Sequence, residues 1–141
     1  MSTPERAETS IEVRDRVEWI DTDAAGIYHN SSLLRYVESA EAELMRRRGV
    51  DGYFGVAPRV HFEVDFEAPL FFGQQITVLL RVARLGTSSL TFAFEVWGEE
   101  HDGAPRRRAA AGSYVTVHAP GGHAEGARAV PWPPDWVDRL S

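Results

Sequence analysis

With 141 residues, 43% hydrophobic and 26% charged, the chain has the size and make-up of one globular domain able to bury a core without covalent staples. It contains no cysteine, which rules out a disulfide framework, a thiol nucleophile and a thiolate metal site. A formal charge of −6 speaks against a nucleic-acid partner, which calls for a basic face. The first ten residues are polar, without the apolar core of an export signal, and no run approaches the length of a membrane span. The expectation is a soluble, cytoplasmic protein with no membrane partner.

In chain order, Ile11, Val13, Val17 and Trp19 fall at even offsets among Glu12, Arg14, Arg16 and Glu18. That is the period of a half-buried strand, with Asp15 interrupting its apolar side. From Asp21 to Asn30 the alternation stops; Gly26 and the run Asn30-Ser31-Ser32 read as a loop leading into a helix, any of the last three serving as its cap. Leu33, Val37, Ala40 and Leu44, spaced four, three and four, put one apolar stripe on a helix that runs to Arg48. Arg46, Arg47 and Arg48 suit the negative end of its dipole, and Gly49 follows as a left-handed terminator.

Beyond a linker containing Gly52, Gly55 and Pro58, the pattern is β to about residue 118. Val60, Phe62, Val64 and Phe66 alternate with His61, Glu63, Asp65 and Glu67, followed by a break at Pro69 and Gly73. Ile76, Val78, Leu80 and Val82 form the next strand, Gly86-Thr87-Ser88 the turn, and Leu90, Phe92, Phe94 and Val96 the strand after it. His101-Asp102-Gly103 turns the chain again, and Ala109, Ala111, Ser113, Val115 and Val117 complete a fifth strand. Short connections favour antiparallel pairing.

One apolar helical stripe and one apolar sheet face are both buried if a single long helix packs across a curved antiparallel sheet. The expectation is therefore one α+β domain over 1–141, with 1–9 and 119–141 as peripheral tails. Trp132, Trp136, Val137 and Leu140 either tack the second tail onto the body or leave it loose.

The loop before the helix concentrates Asp21, Asp23, Gly26, Tyr28, His29 and Asn30 in ten residues. A helix start offers free N–H groups and partial positive charge to an oxygen that gains negative charge, and a nearby carboxylate can activate water or attack directly. The same residue types are also what an ordinary loop and helix cap use, and Asp21 fits a role of holding the loop through backbone N–H groups. His61, Glu63 and Asp65 share one strand face without metal-ligand spacing, so no metal is expected. Of Phe62, Phe66, Phe71, Phe72, Phe92 and Phe94, most read as core between sheet and helix.

The string Trp19-Ile20-Asp21-Thr22-Asp23-Ala24-Ala25-Gly26-Ile27-Tyr28-His29-Asn30, with Leu34-Arg35-Tyr36-Val37-Glu38, resembles the signature of the 4-hydroxybenzoyl-CoA thioesterase family of hotdog proteins. The resemblance continues through Val64 to Leu70 and the Leu85-Gly86-Thr87-Ser88-Ser89 turn. It implies a five-stranded antiparallel sheet wrapped around one long central helix, two subunits joining their sheets, and hydrolysis of an acyl thioester without metal or cofactor. By position, Asp23 takes the place of the catalytic aspartate, with the backbone near His29 to Ser31 polarising the carbonyl. Related members have Gly-Ile-Val-Tyr-His where this chain has Gly26-Ile27-Tyr28-His29, so either His29 or Asn30 occupies the family's histidine position.

Gly26, Tyr28, Ser31 and Glu38 are expected to face the substrate, Glu38 as a second carboxylate on the helix. Thr87, Ser88 and Arg84 are expected along the coenzyme A path. On an acidic chain the phosphates of coenzyme A need local arginines, and Arg46 to Arg48, Arg81, Arg84 and Arg106 to Arg108 are the candidates, each also readable as ordinary solvated surface. The implied partners are an acyl-CoA or acyl-carrier-protein thioester and further copies of the chain, as a homodimer or homotetramer. The rival readings are a hotdog enoyl-thioester hydratase or dehydratase, and a non-catalytic acyl-CoA-binding module.

Overall fold

Alternation in the middle of the chain is realised residue by residue. On β3 (Gln75–Leu85) Ile76, Val78 and Leu80 are buried, and on β4 (Ser89–Gly98) Leu90, Phe92, Phe94 and Val96 are buried. The computed structural model describes residues 9–24, 26–28, 30–121 and 128–141. With β1 (Ser10–Arg16), β2 (Arg59–Phe66) and β5 (Arg107–Val117), the strands form one antiparallel sheet in the order β1-β3-β4-β5-β2.

The helix α1 (Ser32–Arg48) lays Leu33, Tyr36, Val37, Ala40, Leu44 and Met45 into the core and packs against β1 and β3. It stops at Gly49, whose φ of +70° favours glycine and whose N–H reaches the Arg46 and Met45 carbonyls. No described helix is long and apolar enough to cross a membrane.

The expectation of one long central helix is not met: the described residues hold two short helices, α1 and a second, α2 (Pro134–Leu140), which follows the sheet. Its seven residues are too few to display an apolar stripe in sequence, yet the segment is tied down. Trp132 is buried, its ring stacked on His118 and Tyr53, and its two N–H groups donate to the Thr87 and Ser89 carbonyls. Leu140 is buried, and its carbonyl accepts the Thr9 hydroxyl at 2.9 Å.

Three strand details also differ from the sequence pattern. Trp19 continues the spacing of β1 but sits beyond its end, in a 3-10 turn over Trp19–Asp21. On β2, the cleanest alternation in the sequence, a bulge between Arg59 and His61 and a position at the sheet edge leave Val60 and Phe66 exposed. On β5 the inner face beyond Ala110 is the opposite of the expected one: Tyr114 and Thr116 are buried, whereas Ser113 and Val115 are half-buried.

A bulge that leaves Ala109 unpaired between the Val96–Ala110 and Trp97–Arg108 pairs reverses the face, and the reversed face meets a polar group inside the core. Glu41 on α1 is fully buried, accepts the Tyr53 hydroxyl at 2.9 Å and pairs with Arg59 at 3.1 Å, while the Tyr53 and Thr116 hydroxyls bond at 2.7 Å. Buried polar groups keep partners, so the hydroxyl-bearing face of β5 turns inward to complete the set.

Candidate active site

Two segments brace the loop between β1 and α1. Val17 N–H donates to the Gln74 carbonyl and Gly73 N–H to the Val17 carbonyl, joining the end of β1 to the turn before β3. Inside the 3-10 turn Asp21 accepts the Glu18 N–H at 2.8 Å, and the Trp19 carbonyl accepts both the Thr22 hydroxyl at 2.7 Å and the Thr22 N–H at 3.1 Å.

Asp21 is 2% exposed, and its carboxylate receives Arg35 from α1 through Nε at 2.9 Å and a second, shorter contact from the same guanidinium. The Ser32 hydroxyl donates to the Asp21 carbonyl at 3.1 Å. Asp21 is thus a clamp between loop and helix. Arg35 also lies 4.0 Å from Asp15, which accounts for the acid on the apolar side of β1.

Burial alone would raise the Asp21 carboxyl, but the hydrogen bonds from Arg35 and the Glu18 N–H, with the Arg35 charge, hold it below its ordinary value. A lowered folded-state pKa contributes stability above the unfolded value and loses it as the pH falls through the folded one. Melting temperature is therefore expected to drop as the pH falls below about 4, and Asp21→Asn to be less stable at pH 7 with a flatter acid limb. Thermal melts between pH 7 and acid read this; parallel curves would show that the clamp carries no charge-dependent stability.

Beyond Asp21 the chain makes a tight ribbon. Thr22 pairs with Tyr28, Asp23 N–H donates to the Ile27 carbonyl at 2.8 Å, and Gly26 N–H donates to the Asp23 carbonyl at 3.0 Å. Gly26 has φ +78°, which a side chain would resist. The ribbon docks on the segment before β3: Tyr28 N–H donates to Leu70, Phe72 N–H to Gly26, and Ile27 pairs with Phe71. Strand alternation then turns Thr22 and Tyr28 inward, where both are buried, and Asp23 outward, where it is exposed. The Asp23 carboxylate also accepts the Ile27 N–H at 3.3 Å.

His29 lies outside the described residues. Asn30 and Ser31 are exposed at the start of α1, where the Asn30 carbonyl accepts the Leu33 N–H, Ser31 makes no side-chain cap and the first turn has no acidic residue. The positive end of the helix is thus not neutralised by a first-turn acid. Glu38 is exposed and shares a groove on the outer side of α1 with Ser31, Leu34 and Arg35.

The chain matches the model of the thioesterase superfamily over residues 25–104, more than half of its length. It belongs to that superfamily. The thioesterase is 31% identical over 105 residues to a 1,4-dihydroxy-2-naphthoyl-CoA hydrolase of Synechococcus sp. strain WH7803, a match covering 65% of this chain and 69% of the relative. Two other relatives of that name are spanned over 63% and 59% of their length.

Its fold superposes on 4-hydroxybenzoyl-CoA thioesterase from Pseudomonas sp. strain CBS-3 with a TM-score of 0.82 at 20% identity, covering 94% of this chain and 99% of that one. A thioesterase from Thermus thermophilus, solved with coenzyme A and zinc, is 28% identical at a TM-score of 0.76, covering 94% and 92%. The hotdog fold and its five-stranded antiparallel sheet are borne out by these likenesses, and thioester hydrolysis is the chemistry of the protein.

Asp23, Gly26, Tyr28, Asn30 and Ser31 are brought together on the loop and helix start; Thr87, Ser88 and Arg84 are not. The Leu85–Ser89 turn lies at the far end of β3, whose eleven residues span about 33 Å at the usual rise. Thr87 instead borders a groove with Trp132, Pro134 and Val137, and the Ser88 carbonyl takes the His118 N–H. Glu41 and the Arg35 clamp carried no assignment from sequence. A glutamate inside the apolar spacing of α1 was the available signal for the first, and Asp15 within the apolar side of β1 for the second.

Proposed function

We propose that the thioesterase hydrolyses aromatic acyl-CoA thioesters, with Asp23 as general base or nucleophile and the start of α1 polarising the carbonyl. The carrying observation is the exposed Asp23 on the outward side of a braced turn beside a helix start at which the Ser31 side chain makes no cap. As the carbonyl oxygen takes up negative charge, N–H groups at the helix start stabilise it. Asp23 either removes a proton from the attacking water or adds to the carbonyl carbon to give an anhydride that water opens. Both routes break the carbon–sulfur bond and release thiol and acid.

The names of the relatives support an aromatic acyl group, and the coenzyme A bound to the Thermus protein supports that carrier. The distance of Thr87, Ser88 and Arg84 from Asp23 favours a path shared between two copies, each supplying what the other lacks. The exposed edge of β2 offers the surface for a homodimer in which two sheets join.

Release of thiol from benzoyl-, naphthoyl- and short aliphatic acyl-CoAs, followed with a chromogenic thiol reagent, tests the reading. The cysteine-free protein adds no background. Release is expected, fastest on the aromatic thioesters. Silence on all of them, or hydration of crotonyl-CoA without thiol release, would remove hydrolysis of acyl-CoA.

A further inference from the structure

The exposed large apolar side chains are not scattered. Of the six among the described residues, Trp19 at 69%, Ile20 at 83% and Phe72 at 47% exposure all adjoin the Asp23 turn. Trp19 stands on one flank, its carbonyl holding Thr22; Phe72 stands on the other, its N–H donating to Gly26. Their rings meet edge to face, with centroids 5.6 Å apart and planes at 87°.

These side chains are not on a loose loop. The 3-10 turn that presents Trp19 and Ile20 is fixed by the Asp21 carboxylate, which Arg35 and the Glu18 N–H hold from behind. A tryptophan and an isoleucine left in water forgo the stabilisation that burial of their apolar surface would give. A braced turn that displays them beside a reactive carboxylate marks a surface that something covers.

Resting on the reading of Asp23 given above, we propose that Trp19 and Phe72 determine acyl specificity, forming an edge-and-face corner that holds a planar aromatic acyl group while Ile20 borders it. Whatever lies over this corner lies next to the carboxylate that must reach the thioester carbonyl carbon or the water attacking it, and that carbon belongs to the acyl group. Two rings at right angles give a flat guest one face to stack on and one edge to abut, the preferred geometries for aromatic pairs. The free edge of β2, with its own exposed Val60, lies at the other side of the sheet order from β1, which leads into Trp19, while Phe66 at the end of β2 reaches the ribbon, its ring 6.2 Å from that of Tyr28.

The test compares kcat/KM for 2-naphthoyl-CoA and butyryl-CoA in wild type, Trp19→Ala, Trp19→Phe and Phe72→Ala. It also measures the affinity of Asp23→Asn, with and without Trp19→Ala, for 2-naphthoyl-CoA and free coenzyme A by calorimetry. The aromatic-to-aliphatic ratio is expected to fall by roughly tenfold or more in each alanine variant, and most of it to survive in Trp19→Phe. Naphthoyl-CoA binding should weaken by a similar factor relative to coenzyme A. An unchanged ratio and unchanged relative binding overturn the assignment. So does an equal loss in Trp19→Ala and Trp19→Phe, or a lower mass by light scattering in the alanine variants, which would make the corner a subunit contact. Turnover retained in Asp23→Asn would sink the catalytic reading of Asp23 alone, since the binding arm needs no turnover.

Discussion

Replacing Asp23 by asparagine is expected to lower kcat/KM by about 10²- to 10⁴-fold, the range over which a positioned acid or base contributes, with little change in melting temperature. The asymmetry follows from the ribbon. Asp23 is exposed, and an amide oxygen can still accept the Ile27 N–H now bonded at 3.3 Å, so the turn keeps its shape. What is lost is an oxygen able to take a proton from water or to add to a carbonyl. Exposed substitutions away from core features usually change stability by no more than about 0.5 kcal/mol. Steady-state kinetics beside thermal melts would decide it: near-wild-type turnover removes Asp23 from the mechanism, and a large drop in melting temperature makes it a structural residue.

The largest effect on stability is expected at Glu41. Glu41→Ala leaves Arg59 without its partner in the core, and breaking a buried ion pair from one side costs about 3–5 kcal/mol, a fall in melting temperature on the order of 10 °C. Burial pushes the Glu41 carboxyl up, opposed by the Tyr53 hydroxyl and by Arg59, which also lies over the Tyr114 ring at 5.0 Å. The loss should thus come from stranding a charge more than from losing an attraction. The double variant Glu41→Gln with Arg59→Met removes both charges and keeps an acceptor for Tyr53; it is expected to regain most of the stability. A double variant no more stable than Glu41→Ala would show that the pair's attraction dominates.

Elements whose buried positions are apolar were legible in the sequence. Ile76 to Leu80, Leu90 to Val96, and the stripe from Leu33 to Leu44 each match the face that the fold buries. The strand β5 was not legible, because its inner face carries Tyr114, Thr116 and Gly112. Hydroxyls and a glycine look like an outer face until Glu41 and Tyr53 are known to lie opposite them. Gly112 has its own cause, since a Cβ there would clash with the Glu63 carbonyl of β2. At the site, Gly26 and the following serines revealed the turn and helix start, and Asp21 holds the loop partly through the Glu18 N–H. The sequence could not show that Thr87 and Ser88 lie at the opposite end of β3, because separation along a strand has no residue signature.

The bond between the Thr9 hydroxyl and the Leu140 carbonyl joins residues 131 positions apart. Such a contact closes nearly the whole chain as one loop, and its entropy must be supplied before it gives anything back. It is expected to form on a sheet already assembled, where Thr9 is held by the Val82 N–H and Trp132 by the Thr87 and Ser89 carbonyls. The segment from Trp132 to Leu140 is therefore expected to close late, as a latch, and the stack of Trp132 on Tyr53 and His118 offers stopped-flow fluorescence a signal of that step: a tryptophan change that precedes sheet formation would overturn the order.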